Sequence, residues 1–198
     1  MKDKNSQSGY TLLEAIMFIA LISMVAVAIV NVSSKMLDRY RVSRLVSQAV
    51  EIAQTIAHRC AAAEDYSKCA VGGKAKMLCT EKLLPGDMKC KNNKFTHKYG
   101  GEVSFVTFSS SDLGINEKNN YTIKFASVPQ TACIELLTYS WDNLSYVQLS
   151  GLYVASSNNV CAWKQNKIVR DCFLPVSVKK ATELCSSRTS NDVMLIFQ

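Results

Sequence analysis

Eight cysteines have the widest range of possible chemistry in this chain of 198 residues. Thiolates can bind zinc, exchange electrons as a Cys-x-x-Cys pair, or join as disulfides. No Cys-x-x-Cys occurs, which removes both a thioredoxin-like redox pair and a zinc ribbon. His58 and Cys60 could bind a metal together with Cys69 and Cys79, but these intervals match no common zinc signature, so we expect no metal site. An even cysteine count is typical of disulfides formed in an oxidising compartment, with 105 possible connectivities for eight cysteines.

Side chains suited to catalysis are few. The only histidines are His58 and His97, and we expect His58 to be a partly solvated structural residue. The chain contains no Gly-x-Ser-x-Gly elbow, phosphate loop or dinucleotide fingerprint, and its acidic residues lack calcium-loop spacing. We therefore predict that this protein is not an enzyme and uses no cofactor.

A cluster of cations and aromatic rings lies in one predicted loop of this chain, whose formal net charge is +7. Such a mixture could bind nucleic acid or an anionic surface. A solvated loop held by disulfides explains the same composition, and we favour this simpler interpretation. The possible binding residues are Lys89, Lys91, Lys94, Phe95, Lys98 and Tyr99, with His97 among them.

The N-terminal part of the chain is strongly apolar, with 19 apolar residues among the 23 from Tyr10 to Val32. That length suffices for a membrane core, which needs about 20 residues, and it exceeds the apolar stretch of an ordinary signal peptide. Glu14 lies inside this run, where a carboxylate at mid-helix costs about 2.5–3.5 kcal/mol. The cost is offset if Glu14 meets a cation within protein, such as an amine made by cutting the chain before Tyr10.

The motif Gly9-Tyr10-Thr11-Leu12-Leu13-Glu14, with a short basic leader before it and an apolar helix after it, closely resembles the processing site of type IV prepilins and type II secretion pseudopilins. The resemblance implies cleavage between Gly9 and Tyr10 by a prepilin peptidase and N-methylation of Tyr10. It also implies that Glu14 contacts the N-terminal amine of an adjacent subunit during assembly. Tyrosine departs from the phenylalanine or methionine that is more usual at the first mature position.

The cations around the apolar run give conflicting signals for topology. Four basic residues follow the run and compete with two leader lysines under the positive-inside rule. Long domains translocate largely regardless of charge, and the cysteines require an oxidising side. We therefore expect an inner-membrane protein with a cytoplasmic N-terminus and a periplasmic domain.

One long helix is predicted from Tyr10 to about Arg59, because no glycine or proline occurs between Tyr10 and Val71. Its first half is apolar on all sides, and its second half is amphipathic. The residues predicted to form the apolar face of the second half are Leu37, Tyr40, Leu45, Val46, Ala49, Ile52, Ala53 and Ile56.

The remaining chain carries mixed signals. We predict mostly loop from Cys60 to Gly101, strands at 103–108, 121–128, 146–154 and 193–197, and helices at 130–143 and 176–186. An antiparallel sheet laid over the long helix would bury both apolar faces, which gives an α+β fold with the lollipop shape of a pilin. The predicted parts are a leader at 1–9, a transmembrane and filament-core helix at 10–33, and a head with the amphipathic helix at 34–198.

A second motif, Val128-Pro129-Gln130-Thr131-Ala132-Cys133, is followed by a short helix and by Cys185 before an apolar last strand, and it is similar to type IVb pilins. The resemblance implies a Cys133–Cys185 disulfide that closes a C-terminal region. The other six cysteines then fall into neighbouring pairs, each closing a loop of about ten residues. These pairs are Cys60–Cys69, Cys79–Cys90 and Cys161–Cys172.

Together the two resemblances predict a structural subunit of a type IV pilus, most similar to the type IVb kind, in a surface filament for adhesion, aggregation, motility or transfer. Its partners would be other pilin subunits, the prepilin peptidase and methylase, and an inner-membrane assembly machinery. One alternative is a pseudopilin of a type II secretion system. A further alternative is an anchored periplasmic binding protein.

Overall fold

A computed structural model describes residues 7–62, 66, 69, 74–92, 94–106, 120–141, 147–154, 159–162 and 172–197. Side chains are described for these residues except at 7–11, 159–162 and 172–173. The chain divides into two compact units, one ending at Tyr40 and the other beginning at Arg41.

Helix α1 runs from Gln7 to Cys60 without a break, close to the predicted end at Arg59. Within the second unit, one stripe of this helix is buried at helical spacing and packs into the core. The prediction that Leu37 and Tyr40 extend this stripe is wrong for the single chain, because these side chains are 55% and 56% exposed. The buried stripe consists of Val42, Leu45, Val46, Ala49, Ile52, Ala53, Ile56, Ala57 and Cys60.

Eight strands of the second unit form one sheet in the order β1-β2-β3-β4-β8-β5-β6-β7. Every neighbouring pair is antiparallel except β6 and β7, which are parallel. The predicted α+β fold, a long N-terminal helix packed on an antiparallel sheet, is confirmed apart from that last pair. The strands are β1 Cys90–Lys91, β2 Lys94–Thr96, β3 Glu102–Val106, β4 Tyr121–Val128, β5 Leu149–Val154, β6 Asn159–Ala162, β7 Cys172–Phe173 and β8 Asn191–Phe197.

The central strands β4 and β8 supply much of the core that faces α1. Alternate residues of a strand point to the same face, so Tyr121, Ile123 and Phe125 of β4 share one side, and all three are buried. The ring of Tyr121 stacks on that of Phe197 in β8, with centroids 5.4 Å apart, and Trp141 meets Phe197 edge-on at 5.8 Å. These aromatic contacts fill the space between the sheet and the helix.

The prediction of mostly loop between Cys60 and Gly101 is wrong, since this segment contains α2 (Lys74–Thr80) and strands β1 and β2. These elements are only two to seven residues long, too short to show a hydrophobic period. Tertiary contacts stabilise them instead, through buried Leu78, Met88 and Phe95.

Two helices follow the predicted positions with shorter bounds. Helix α3 spans Gln130–Thr138 and ends before the predicted residue 143, because Tyr139 is extended and the buried Trp141 donates its indole N–H to the Leu136 carbonyl at 2.9 Å. Helix α4 spans Val178–Leu184 and begins at Ser177, whose side chain accepts a hydrogen bond from the backbone N–H of Lys180.

Candidate functional site

The first unit of the chain exposes the apolar half of α1. Among the described residues, α1 is the one helix whose length and composition would allow it to cross a membrane. Burying one large apolar side chain stabilises by about 1.5–3 kcal/mol, and patches beyond a few hundred Å² mark interaction surfaces. This surface therefore requires a cover of lipid or protein. The exposed large side chains are Leu12, Leu13, Ile16, Met17, Phe18, Ile19, Leu21, Ile22, Met24, Val25, Val27, Ile29, Val30, Val32, Met36, Leu37 and Tyr40.

Glu14 lies near the start of this apolar surface and is exposed. It stands four positions after Tyr10, so the backbone places the two residues on the same side of α1, one turn apart. No described cation lies within ion-pair distance of the Glu14 carboxylate. A carboxylate in this position is available to a cation from outside the chain. The side chain of Tyr10 lies outside the described residues, as do Gly9 side-chain surroundings.

Two hydroxyl groups in the same surface are satisfied within the helix. Ser23 donates its hydroxyl to the carbonyl of Ile19 at 2.7 Å, and Ser34 donates to the carbonyl of Asn31 at 3.0 Å. A serine that bonds to its own helix carries no unpaired donor into an apolar environment. Glu14 is therefore the charged group within the apolar surface that needs an external partner.

An ion cluster around Asp87 joins α1 to the head within the second unit. The carboxylate accepts hydrogen bonds from Arg44 Nε at 3.2 Å and Gln48 Nε2 at 2.9 Å, and Lys98 Nζ lies 3.7 Å away. Burial raises the pKa of Asp87, but the hydrogen bonds from Arg44 and Gln48 outweigh it and leave the pKa below its usual value. The sequence contained no signal for this cluster, since its members lie about 40 residues apart.

Three of the four cysteine pairs in the sequence prediction are joined in the structure. Cys60 bonds to Cys69, Cys79 to Cys90, and Cys133 to Cys185, with Cα atoms 5.4, 5.8 and 6.0 Å apart. The backbones of Cys161 and Cys172 are direct partners between β6 and β7, while their side chains lie outside the described ones. Among the described residues, no three His, Cys, Asp or Glu side chains are grouped to hold a metal ion.

The Cys133–Cys185 bond joins α3 to the end of α4, and polar contacts surround it. Gln130 donates its side-chain amide to the carbonyl of Cys185 at 2.9 Å. Asn191, fully buried at the start of β8, donates to the carbonyls of Val128 and Ser187 at 3.1 and 2.6 Å. This C-terminal region is therefore fixed to the sheet by one covalent bond and by buried hydrogen bonds.

The cluster predicted as a possible binding loop is not a loop. Lys91 and Lys94 face each other across the β1–β2 hairpin, whose turn contains Asn92 with a positive φ of 54°. Phe95 is 1% exposed and packs in the core, so it is unavailable to a ligand. Tyr99 is half-buried. The lysines and the aromatic rings of the prediction therefore have separate roles.

His97 is a buried structural residue next to this hairpin, and the sequence prediction treated it only as part of the loop. Its Nδ1 accepts a hydrogen bond from the backbone N–H of Tyr99 at 3.2 Å, so Nε2 carries the proton and donates to the Ala126 carbonyl at 2.7 Å. Burial lowers the pKa of His97, because the charged imidazolium would lose its water. Gly101 packs against the same ring and the same carbonyl, which leaves no space for a Cβ.

Comparison with known proteins gives two matches. The model of a family described as PilS N terminal matches residues 39–197, which extend from α1 to the end of β8. The fold is similar to the crystal structure of a type IV b pilin from Salmonella typhi, with a TM-score of 0.51, 16% identity, and coverage of 76% of this chain and 95% of that one. No curated protein matches the chain.

Proposed function

Because the chain belongs to the PilS family of type IV pilins, it is a pilus subunit, and we propose that it polymerises into a type IVb filament through the apolar half of α1. The observation that supports this most strongly is the continuous exposed apolar surface from Leu12 to Leu37. In a filament this surface would be covered by the same surface of neighbouring subunits. Burial of that surface would supply the main driving force of assembly.

We propose that the precursor is cut between Gly9 and Tyr10 and that Tyr10 is then N-methylated. The motif preceding the apolar run and the position of Glu14 one turn later support this processing. The new amine of one subunit would pair with Glu14 of another in a dry interface, where screening by water and salt is weak. The pair would set the axial register of neighbouring subunits.

Before assembly, the apolar helix would lie in the inner membrane with the head in the periplasm. The disulfides of the head support an oxidising location. Partners at this stage would be the prepilin peptidase and the inner-membrane assembly machinery, followed by other pilin subunits outside the cell.

Replacement of Glu14 by alanine tests the assembly role. The variant should be cleaved normally, as N-terminal sequencing would report, but should be strongly reduced in filaments sheared from cells. Glu51→Ala is the matched control, since Glu51 is an exposed carboxylate of the same helix within the head. Normal filaments from Glu14→Ala would refute the proposed pairing.

N-terminal analysis of sheared filaments tests the processing. Subunits that begin with an N-methylated Tyr10 are expected, whereas filaments whose subunits begin at Met1 would refute it. Filaments detached from wild-type cells would also distinguish a pilus from a secretion pseudopilus, whose loss would instead block the export of other proteins.

A further inference from the structure

Most of the net positive charge of the chain lies in one short segment. Residues 74–98 contain seven lysines and two acidic residues, which is a net charge of +5 out of the +7 of the whole chain. The rest of the chain, with 16 cations and 14 anions, contributes only +2. A local excess of one sign of charge creates a field that attracts ions of the opposite sign.

This segment is held rigidly as α2, β1 and β2. Leu78, Met88 and Phe95 anchor it in the core, and the Cys79–Cys90 bond joins α2 to β1 with Cα atoms 5.8 Å apart. A ligand that binds to this segment would not have to order a flexible loop, which preserves affinity.

Both acidic residues of the segment are already occupied by arginines of α1. Glu81 pairs with Arg59 at 2.7 Å, and Asp87 pairs with Arg44 at 3.0 Å. The two arginines therefore neutralise the acids of the segment and leave its lysines without internal counter-charges.

Four exposed lysines remain, and we define them as the lysine surface. Each stands within three positions of Cys79 or Cys90, so the disulfide gathers their backbones into one region. Among the described residues, none of the four has an acidic side chain within ion-pair distance. The lysine surface consists of Lys76, Lys82, Lys89 and Lys91.

The β1–β2 hairpin adds a like-charge contact to this surface. Lys91 stands directly opposite Lys94 in the antiparallel register, and like charges in that position destabilise a hairpin. Lys94 Nζ lies 3.3 Å from Glu102, while Lys91 has no described counter-ion. An anion bound beside Lys91 would relieve the repulsion, so the hairpin gains stability from an anionic ligand.

The chemistry of the lysine surface narrows the class of ligand. Proteins that bind nucleic acids use arginine forks on phosphates and exposed aromatic rings on bases. The lysine surface has no arginine, and the neighbouring Phe95 and His97 are 1% and 3% exposed. Lysine ammonium groups act as point charges and suit a ligand recognised by charge density alone.

We propose that the lysine surface binds an acidic polysaccharide, a polymer whose sulfate or carboxylate groups follow one another along the chain. Each bound lysine releases counter-ions from the polymer, so binding weakens as the salt concentration rises. This binding site lies on the head and does not depend on the proposed role of Glu14 in assembly.

The test compares retention of the full chain, purified in a non-ionic detergent, on heparin–agarose and on a simple sulfonate cation exchanger. The variant Lys76→Gln, Lys82→Gln, Lys89→Gln and Lys91→Gln should elute from heparin at clearly lower salt than wild type. At DNA-like charge density, the slope of log affinity against log salt would fall by about one unit per lysine removed. The same four positions changed to arginine should restore retention.

A control variant removes the same charge elsewhere on the exposed surface. Arg39→Gln, Arg41→Gln, Lys179→Gln and Arg188→Gln should elute from heparin close to wild type. Equal losses in the two variants, or elution of wild type from heparin and from the sulfonate resin at the same salt, would overturn the proposal, because net charge alone would then explain retention. Tighter retention on immobilised double-stranded DNA than on heparin would also overturn it and assign a nucleic acid.

Discussion

The hydroxyl of Tyr121 in β4 donates a hydrogen bond of 2.8 Å to the carbonyl of Ala53 in α1. Tyr121 is 3% exposed, and burial, followed by the nearby Tyr66, raises its pKa, so the phenol stays protonated as a donor. The bond links the middle of the sheet to the amphipathic half of the long helix. It is one of the few polar contacts in an interface that is otherwise apolar.

Tyr121→Phe should lower the free energy of unfolding of the head by about 0.5–1.5 kcal/mol, the usual net value of one hydrogen bond. The aromatic ring and its stacking on Phe197 remain, so the change isolates the hydroxyl. Urea unfolding followed by circular dichroism would measure it. Tyr40→Phe, at an exposed tyrosine of the same helix, should change nothing, and an equal loss there would contradict the argument.

Asp87→Asn should destabilise the head by about 1–2 kcal/mol at neutral pH, because Arg44 and Gln48 lose a charged acceptor. The folded-state pKa of Asp87 is lowered, so its ionised form contributes stability above the usual value of 3.8, and this contribution is lost as the pH falls through the folded-state value. Urea unfolding at pH 7 and at about pH 3 would measure both effects.

The matched control for Asp87 is Glu102→Gln, which removes an exposed partner of Lys94. Exposed pairs contribute about 0–1 kcal/mol, so the control should have the smaller effect. If both variants lost the same stability at neutral pH, the Asp87 cluster would have no special role.

Gly101→Ala should destabilise the head by about 1–3 kcal/mol, the usual range for overpacking. A Cβ at this position would collide with the Ala126 carbonyl and the His97 ring, and both are fixed by their own hydrogen bond. Gly86→Ala is the control, since a Cβ there meets nothing within 4 Å. Thermal melting of the two variants would compare them, and equal melting temperatures would refute the packing argument.

Cys161 and Cys172 should form the fourth disulfide, because their backbones are direct partners between β6 and β7. Mass spectrometry of a proteolytic digest made without reduction should recover their two peptides as one linked species. Recovery of either peptide with an alkylated free thiol would refute the pairing. The other three bonds serve as internal controls in the same digest.

The helices and central strands were predictable because their sequence periods are long enough to read. The absence of glycine and proline predicts α1, and alternation around Ile123 and Phe125 predicts β4. Elements whose order comes from distant contacts were not predictable. The hairpin at Lys91 and Lys94 is an example, because it is anchored by the buried Phe95 and by a disulfide to α2.

The surface contacts divide in the same way. Glu14 stands out in the sequence because a carboxylate is costly in an apolar run. Asp87 looks like an ordinary loop residue, and only folding brings Arg44 and Gln48 to it. Leu37 and Tyr40 fit the helical period of the core but stay exposed, because a period reports that a face is apolar and not which molecule covers it.

The unbroken course of α1 from Gln7 to Cys60 means that its backbone donors and acceptors are satisfied by the helix itself, with Ser23 and Ser34 bonded to it as well. Such a rod can leave a bilayer and enter a protein bundle without breaking a single main-chain bond. Only side-chain neighbours are exchanged, an apolar lipid chain for an apolar residue. The energetic barrier to extraction would therefore be confined to the head passing its neighbours and to the one carboxylate finding its amine.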